Sequence, residues 1–389
     1  MIALTILCIA TIAPVILVTG YFALEVFAGL SPIGKAVSPA ASRRTLIIVP
    51  AHDEEAVIEG SVKDLIAVGA GFELLVVADN CADRTASVAE RAGAQVVVRN
   101  DPERRGKGFA LAAARDFARS NPPDVVIILD ADCRLDGASL RELSAAAASA
   151  KIACQAVNLL APDLSAPALV QISNFGFMIK NLVRQRGLQR LADRAHLTGT
   201  GMALPWDLFD GVDLGGSNIV EDLALGLDLA DRAHPPQLIE KATVWSPPAS
   251  AKGTLVQRRR WEGGYLATAL KRAPAALVRG FVRGDLRGVA AALDLSVPPL
   301  ALLVVLNIFA IVVGLIAVAI GASLWPLALQ AAVALTAAVA LALAWMREGR
   351  RFASGATLLR LPIYVLWKLP IYLGFVRAGT PKEWLRSGR

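Results

Sequence analysis

Cysteine, aromatic residues and charge are all scarce in this chain of 389 residues, and each scarcity closes off a class of protein. The four cysteines, Cys8, Cys81, Cys133 and Cys154, have no metal-finger spacing. They support neither a disulfide scaffold nor a structural zinc, and read as thiols of a reducing compartment. No G-x-x-x-x-G-K-[ST] occurs, which removes the P-loop nucleotidases. The first strand-like run is followed by His52-Asp53-Glu54-Glu55, where a dinucleotide fold needs glycines, which argues against NAD or FAD. The 31 glycines and 21 prolines show no period, so a collagen-like chain is excluded. Charged residues make up only 19% against 55% hydrophobic, with a mean hydropathy of +0.52. Such a chain is too apolar for an ordinary soluble enzyme and too charged to lie wholly in a membrane, so two kinds of segment must alternate.

The apolar segments stand out. Residues 1–30 carry one charge, Glu25, and are long enough to cross a hydrocarbon core of about 30 Å. No Lys or Arg precedes them, which argues against a cleavable signal peptide. Leu295 to Met346 contains no charged residue, and a turn signal at Gly321-Ala322-Ser323 with Pro326 divides it into spans expected at 295–321 and 324–346. A last apolar stretch, 358–376, contains Arg360, Pro362, Lys368 and Pro370, and can span, re-enter or lie in the interface. Residues 273–294 are expected to form an amphipathic interfacial segment. Basic residues flank these segments at Lys35, Arg43, Arg44, Lys271, Arg272, Arg279, Arg283, Arg287, Arg347, Arg350 and Arg351. By the positive-inside rule the middle of the chain faces the cytoplasm, and Lys382, Arg386 and Arg389 also favour that side. The net charge of +7 is then matched by anionic lipid headgroups; the basic clusters do not alternate with stacking aromatics, which argues against nucleic acid.

Residues 31–272 have the composition of one cytoplasmic domain. Its first half alternates β-branched runs (Leu46 to Val49, Leu74 to Val77, Gln95 to Val98, Val125 to Leu129) with helical patterns (Ala56 to Val68, Arg84 to Ala92, Gly108 to Arg119). Continuous apolar strands separated by helices predict an α/β fold with a mostly parallel, doubly covered sheet. In such sheets ligands bind beyond the carboxyl ends of the strands. Those ends carry acid here: Asp53, Glu54 and Glu55, then Asp79, then Asp130 and Asp132. A carboxylate rim repels phosphate unless a divalent cation lies between them. Asp130 and Asp132, two residues apart, can share one ion, and their hard oxygens suit Mg²⁺ or Mn²⁺. Arg104-Arg105-Gly106-Lys107-Gly108 opens a helix whose N–H groups and lysine can meet phosphate oxygens. Together these features describe a nucleoside-diphosphate site.

Farther along stand Thr198-Gly199-Thr200-Gly201, Glu221-Asp222 and Gln257-Arg258-Arg259-Arg260-Trp261. Val49-Pro50-Ala51-His52-Asp53-Glu54 resembles V-P-A-Y-N-E, Asp130-Ala131-Asp132 resembles D-x-D, Glu221-Asp222 resembles E-D or T-E-D, and Gln257 to Trp261 resembles Q-x-x-R-W. These are, in order, the motifs of membrane-embedded family 2 glycosyltransferases with the GT-A fold, the group of the cellulose, chitin, hyaluronan and poly-N-acetylglucosamine synthases. The resemblance runs from residue 45 to 261, with apolar spans flanking it on both sides. Two departures are Asp53 for the usual Asn, and Val220 where many synthases have Thr before the acids.

The resemblance implies an inverting transfer from a UDP-sugar to a growing polysaccharide at the cytoplasmic face of the cell (inner) membrane. Asp222 is the expected general base, with Glu221 beside it orienting that residue or meeting the acceptor. Pro50, Ala51, Glu54, Asp79, Lys107, Asp130, Gln257 and Arg260 are implied to bind the nucleotide-sugar, with Glu54 and Asp79 at the uridine and Lys107, Gln257 and Arg260 near the diphosphate. Thr198, Gly199 and Trp261 are expected against the acceptor, and Asp130 and Asp132 at the metal. Arg258 and Arg259 are expected at a solvated or lipid-facing surface. A lipid-linked acceptor receiving one sugar is the alternative, and a non-catalytic sensing or export component a distant third. Export partners or self-association fit either enzymatic reading.

Overall fold

A computed structural model describes residues 1–34, 43–215, 220–247 and 251–378. Lys35, Lys382, Arg386 and Arg389, which entered the orientation argument, lie outside the described residues. The chain divides into two compact units, one comprising Pro32–Ala161 with Asp193–Pro248, the other Met1–Ser31, Pro162–Ala192 and Ala249–Arg389. The division departs from the continuous domain expected over 31–272, because residues 162–192 and the start of the Q-x-x-R-W helix group with the apolar helices.

The first unit is an eight-stranded sheet: β1 (Thr45–Ala51), β2 (Glu73–Asp79), β3 (Gln95–Arg99), β4 (Val125–Ile128), β5 (Arg134–Leu135), β6 (Cys154–Leu160), β7 (Met202–Pro205) and β8 (Gln237–Ser246). Their order is β3-β2-β1-β4-β7-β6-β8-β5. The strands β3, β2, β1 and β4 run parallel, in the register Leu46 to Glu73 and Thr45 to Val125. β7 is antiparallel to both β4 and β6, while β6 and β8 are parallel with a bulge between Ala156 and Val157. Period-two alternation sends successive residues to opposite faces. Ile47, Val49, Ile127 and Val76 pack with Ile58, Val62 and Leu140 of the helices Glu55–Val68 and Gly137–Ala150 on one side. Leu46, Ile48, Val77 and Ile128 pack with Leu111, Phe209 and Leu225 of three other helices on the opposite side. Burial on both faces is why these strands read as unbroken apolar runs.

Among the described residues, the second unit contains three helices long and apolar enough to cross a membrane: Ile2–Gly29, Leu300–Ala319 and Trp325–Arg347. A shorter apolar segment falls within Leu361–Ala378, and the 33-residue helix Ala251–Arg283 is followed by Leu286–Ser296. Glu25, the one charge in the first apolar run, is fully buried and receives Arg184 Nε at 2.5 Å. The same guanidinium reaches Asp294 at 2.5 Å. Gly187 makes this possible: a Cβ there would sit 2.1 Å from the Glu25 carbonyl, so only a residue without one lets the two helices come so close.

Candidate active site

The acids at the carboxyl ends of the parallel strands are held by local backbone geometry. After β1 the chain turns at Asp53, whose φ of 51° lies in the left-handed region that Asp and Asn tolerate better than most residues. This suits the exchange of Asn for Asp there. The Asp53 carboxylate accepts the Ala82 N–H at 2.7 Å, and the Glu54 N–H donates to Thr85 Oγ1 at 2.8 Å. Pro50 and Ala51 end β1, and Ala51 belongs to the apolar core. Asp79 ends β2, buried, with Arg99 Nη1 donating to it at 2.6 Å and Asn80 Nδ2 at 3.0 Å.

Asp130 and Asp132 do not extend β4, as the spacing argument assumed. They lie in a turn between β4 and β5 closed by the Cys133 N–H bonding to the Asp130 carbonyl at 3.0 Å. Ala131 is buried within that turn, and the buried Cys133 thiol donates to Asp132 Oδ1 at 3.5 Å. Burial, then the charges of Asp130 and Asp132, push the Cys133 thiol up in pKa and keep it protonated.

Lys107 gathers the rest. It opens the helix Lys107–Ala118 directly after Gly106, whose φ of 128° is accessible to glycine. Its ammonium donates to the Asp130 carboxylate and, at 2.6 Å, to the Gly199 carbonyl. Gly199 also faces Asp222: a Cβ on it would lie 3.1 Å from Asp222 Oδ2, and its φ of 85° is again left-handed. Glu221 and Asp222 open the helix Glu221–Asp231, where the helix dipole favours negative charge. Asp222 Oδ1 accepts the Leu223 N–H at 2.8 Å. Burial, and next the neighbouring Asp222 charge, push Glu221 up to about 7. Burial opposes the charge on Lys107, yet Asp130, Glu221 and Asp222 outweigh it and leave its pKa above the ordinary lysine value.

The Thr198–Gly201 loop is tied to the sheet by two side chains that sequence reasoning missed. Gln155, fully buried on β6, accepts the Thr198 N–H at 2.8 Å and donates to the Thr200 carbonyl at 2.9 Å. Asn158 donates to the Thr198 carbonyl at 3.3 Å. Thr200 Oγ1 in turn receives the Asp130 N–H at 3.1 Å. Their signal was two amides inside an otherwise apolar run, Cys154–Leu160, since buried amides need partners.

Lys107, Asp130, Thr198, Gly199, Glu221 and Asp222 are thus brought together in the sheet unit. Gln257, Arg260 and Trp261 belong to the other unit, on the helix Ala251–Arg283. There the Trp261 ring lies 5.6 Å from that of Phe177. Arg258, expected at a solvated or lipid-facing surface, is instead only 7% exposed, hydrogen-bonded to Ser173 Oγ at 2.8 Å and stacked 5.2 Å from the Trp261 ring. A planar guanidinium can be buried this way because aromatic faces replace part of its hydration.

The donor set fits a divalent cation. Asp130 and Asp132 offer hard carboxylate oxygens on one short turn, and the Lys107 ammonium faces the charges of Asp130, Glu221 and Asp222 together.

The sheet order and the acids at its strand ends define a GT-A fold. One similar solved structure is the mannosyltransferase PcManGT from Pyrobaculum calidifontis, solved in complex with GDP-Man and Mn²⁺, with TM-score 0.57 at 17% identity, covering 96% of this chain and 99% of that one. Residues 42–264 match the family described as Glycosyltransferase like family 2, and the chain belongs to that family. Two curated relatives are Probable glycosyltransferase YdaM of Bacillus subtilis (strain 168), 26% identical over 58% of this chain and 56% of that one, and an uncharacterized glycosyltransferase of Mycobacterium bovis, 39% identical over 25% of this chain and 41% of that one. The chain spans about half the length of these relatives.

Proposed function

We propose that the chain moves a sugar from a UDP-sugar to a growing polysaccharide at the cytoplasmic membrane face, inverting the anomeric centre. The observation that supports this best is the approach of Asp222 to Gly199 and, through Lys107, to Asp130, which sets a base candidate beside a candidate cation site. Asp130 and Asp132 would hold Mg²⁺ or Mn²⁺, which when bound neutralises charge developing on the departing diphosphate. Lys107 adds a second positive charge beside the same group. Asp222 accepts the proton of the attacking hydroxyl, and Glu221 keeps it oriented. The Thr198–Gly199 loop gives the acceptor sugar a close approach, and Glu54, Asp79, Pro50 and Ala51 are assigned to the uridine side. Gln257 and Arg260 at the diphosphate, and Trp261 with an aromatic face suited to a pyranose, are assigned by the motif resemblance alone.

The lipid-linked alternative rests on the small number of long apolar helices, three among the described residues, which is few for one protomer to enclose a polymer path. The intact acids at 130, 132 and 222 argue against a non-catalytic component. The test incubates the purified chain in lipid with a panel of UDP-sugars and GDP-mannose, with Mg²⁺ or Mn²⁺, and sizes the product. A ladder of lengths supports the polymer reading, whereas one sugar per acceptor under excess donor refutes it. Chelation of divalent ions is expected to abolish transfer, with recovery on adding back either ion; full activity in chelator removes the metal assignment.

A further inference from the structure

Where β1 and β2 end, His52, Asp53 and Cys81 present an imidazole nitrogen, a carboxylate oxygen and a sulfur that all lie within 4.8 Å of one another. None of the three has a part in the transfer chemistry above. His52 Nδ1 lies 2.7 Å from the Asp79 carbonyl oxygen. A carbonyl can only accept, so Nδ1 carries the ring proton and the lone pair of the neutral ring is on Nε2. Histidines that bind metals are held in the same way, the far nitrogen donating to a carbonyl or carboxylate that fixes tautomer and ring plane. Nε2 lies 3.8 Å from Asp53 Oδ2. Two ligands with bonds of about 2.0–2.1 Å in a tetrahedron are about 3.3 Å apart, so this nitrogen–oxygen pair needs to close by only a few tenths of an ångström.

The other two groups are also anchored. Asp53 Oδ1 accepts the Ala82 N–H at 2.7 Å, which holds the carboxylate over the loop that carries Cys81. Cys81 Sγ accepts the Asp53 N–H at 3.4 Å and donates to the Ala51 carbonyl at 3.5 Å. The donors come from the ends of two adjacent parallel strands, so the sheet itself sets their spacing.

We propose that His52 Nε2, Asp53 Oδ2 and Cys81 Sγ form a binding site for a borderline-soft divalent cation, Zn²⁺ fitting best, with water as the fourth ligand. One nitrogen, one sulfur and one oxygen suit zinc and cobalt, whereas Mg²⁺, Mn²⁺ and Ca²⁺ prefer the all-oxygen pair Asp130 and Asp132. On binding, the Cys81 thiol gives its proton to solvent and a metal–sulfur bond replaces the S–H bond. The ion would cross-link the two strand ends. The proposal does not depend on which sugar is transferred, or on whether any is.

Cobalt(II) serves as the probe, added to the full chain in lipid with excess Mg²⁺ present to fill oxygen-only sites. A thiolate-to-cobalt charge-transfer absorption saturating at one equivalent, and bleached by Zn²⁺, is expected. Zn²⁺ should also protect Cys81 from alkylation; the other three cysteines are buried, so labelling of the folded chain reports this thiol. Cys81→Ser should remove the absorption, Cys133→Ser should leave it, and His52→Gln, whose amide can still donate to the Asp79 carbonyl, should weaken cobalt binding by about tenfold or more. The proposal is overturned if wild-type protein gives no charge-transfer band, or if the band survives Cys81→Ser or is lost with Cys133→Ser instead. Should Cys81→Ser not fold, by circular dichroism, unchanged cobalt affinity in His52→Gln overturns it.

Discussion

The chain holds two clusters of charge that look alike in composition and differ in surroundings. In the sheet unit, Lys107, Asp130, Glu221 and Asp222 sit on turns and helix starts, and the Asp130 side chain is 42% exposed although Lys107 donates to it. In the helical unit, Arg184 lies between Glu25 and Asp294, all three buried. Both clusters have more acid than base. The open cluster can exchange a lysine contact for a cation, because solvent and ligand reach it. The closed one cannot, and its guanidinium, which meets both acids, fastens three distant stretches of chain. Acid excess alone therefore does not mark a site; acid excess with access does.

That contrast can be broken most sharply by exchanging one residue on each side. Asp222→Asn should lower sugar transfer by roughly 10²–10⁴-fold, the range for a lost general base, while leaving thermal unfolding nearly unchanged. Transfer at the wild-type rate would remove Asp222 from its role. Arg184→Met should do the reverse to the molecule as a whole, destabilising it by about 3–5 kcal/mol because Glu25 and Asp294 stay buried without the guanidinium that donates to both, read as a fall in Tm or in the yield of folded protein. An unaltered Tm would show that the closed cluster is not a fastening.

A smaller effect sharpens the comparison by pH. Glu221 sits at about 7 in the folded chain against an ordinary 4.5, so the folded state holds its proton more tightly than the unfolded state does. Stability of the metal-free protein should therefore decline as pH rises from about 4.5 to about 7, and Glu221→Gln should flatten that decline. Added Mn²⁺ should flatten it too, since a cation near Asp130 favours the ionised carboxylate. Denaturant midpoints across this pH range provide the measurement, and a slope identical in Glu221→Gln would assign the proton elsewhere.

The first half of the sheet was legible because β1, β2 and β4 are buried on both faces and β1, β2 and β3 are each followed by a helix, so period and length both register in the residues. The second half was not. β7 has four residues and β5 two, β6 and β8 pair across a bulge, and residues 162–192 interrupt the sheet's sequence with helix belonging to the other unit. Among candidate site residues, Lys107, Asp130, Gly199 and Asp222 converge on one cluster, although the paired acids adopt a turn instead of a strand end. Gln155 and Asn158 escaped notice because an amide acting through backbone partners has no motif of its own. Arg258 was misplaced by reading Arg258-Arg259-Arg260 as a charge run. Arg258, Trp261, Glu262 and Tyr265 fall three, four and seven residues apart, one stripe of a helix, and that spacing was the available clue.

The Arg184 fastening also sets an order of events during synthesis. Glu25 and Arg184 are 159 residues apart, and Arg184 and Asp294 a further 110. At ~5–20 residues per second, the ribosome delivers the guanidinium roughly 10–30 s after the carboxylate it will hold. The opening helix therefore waits with its acid unclaimed by Arg184 while most of the sheet emerges, and the clasp shuts only when residue 294 has followed.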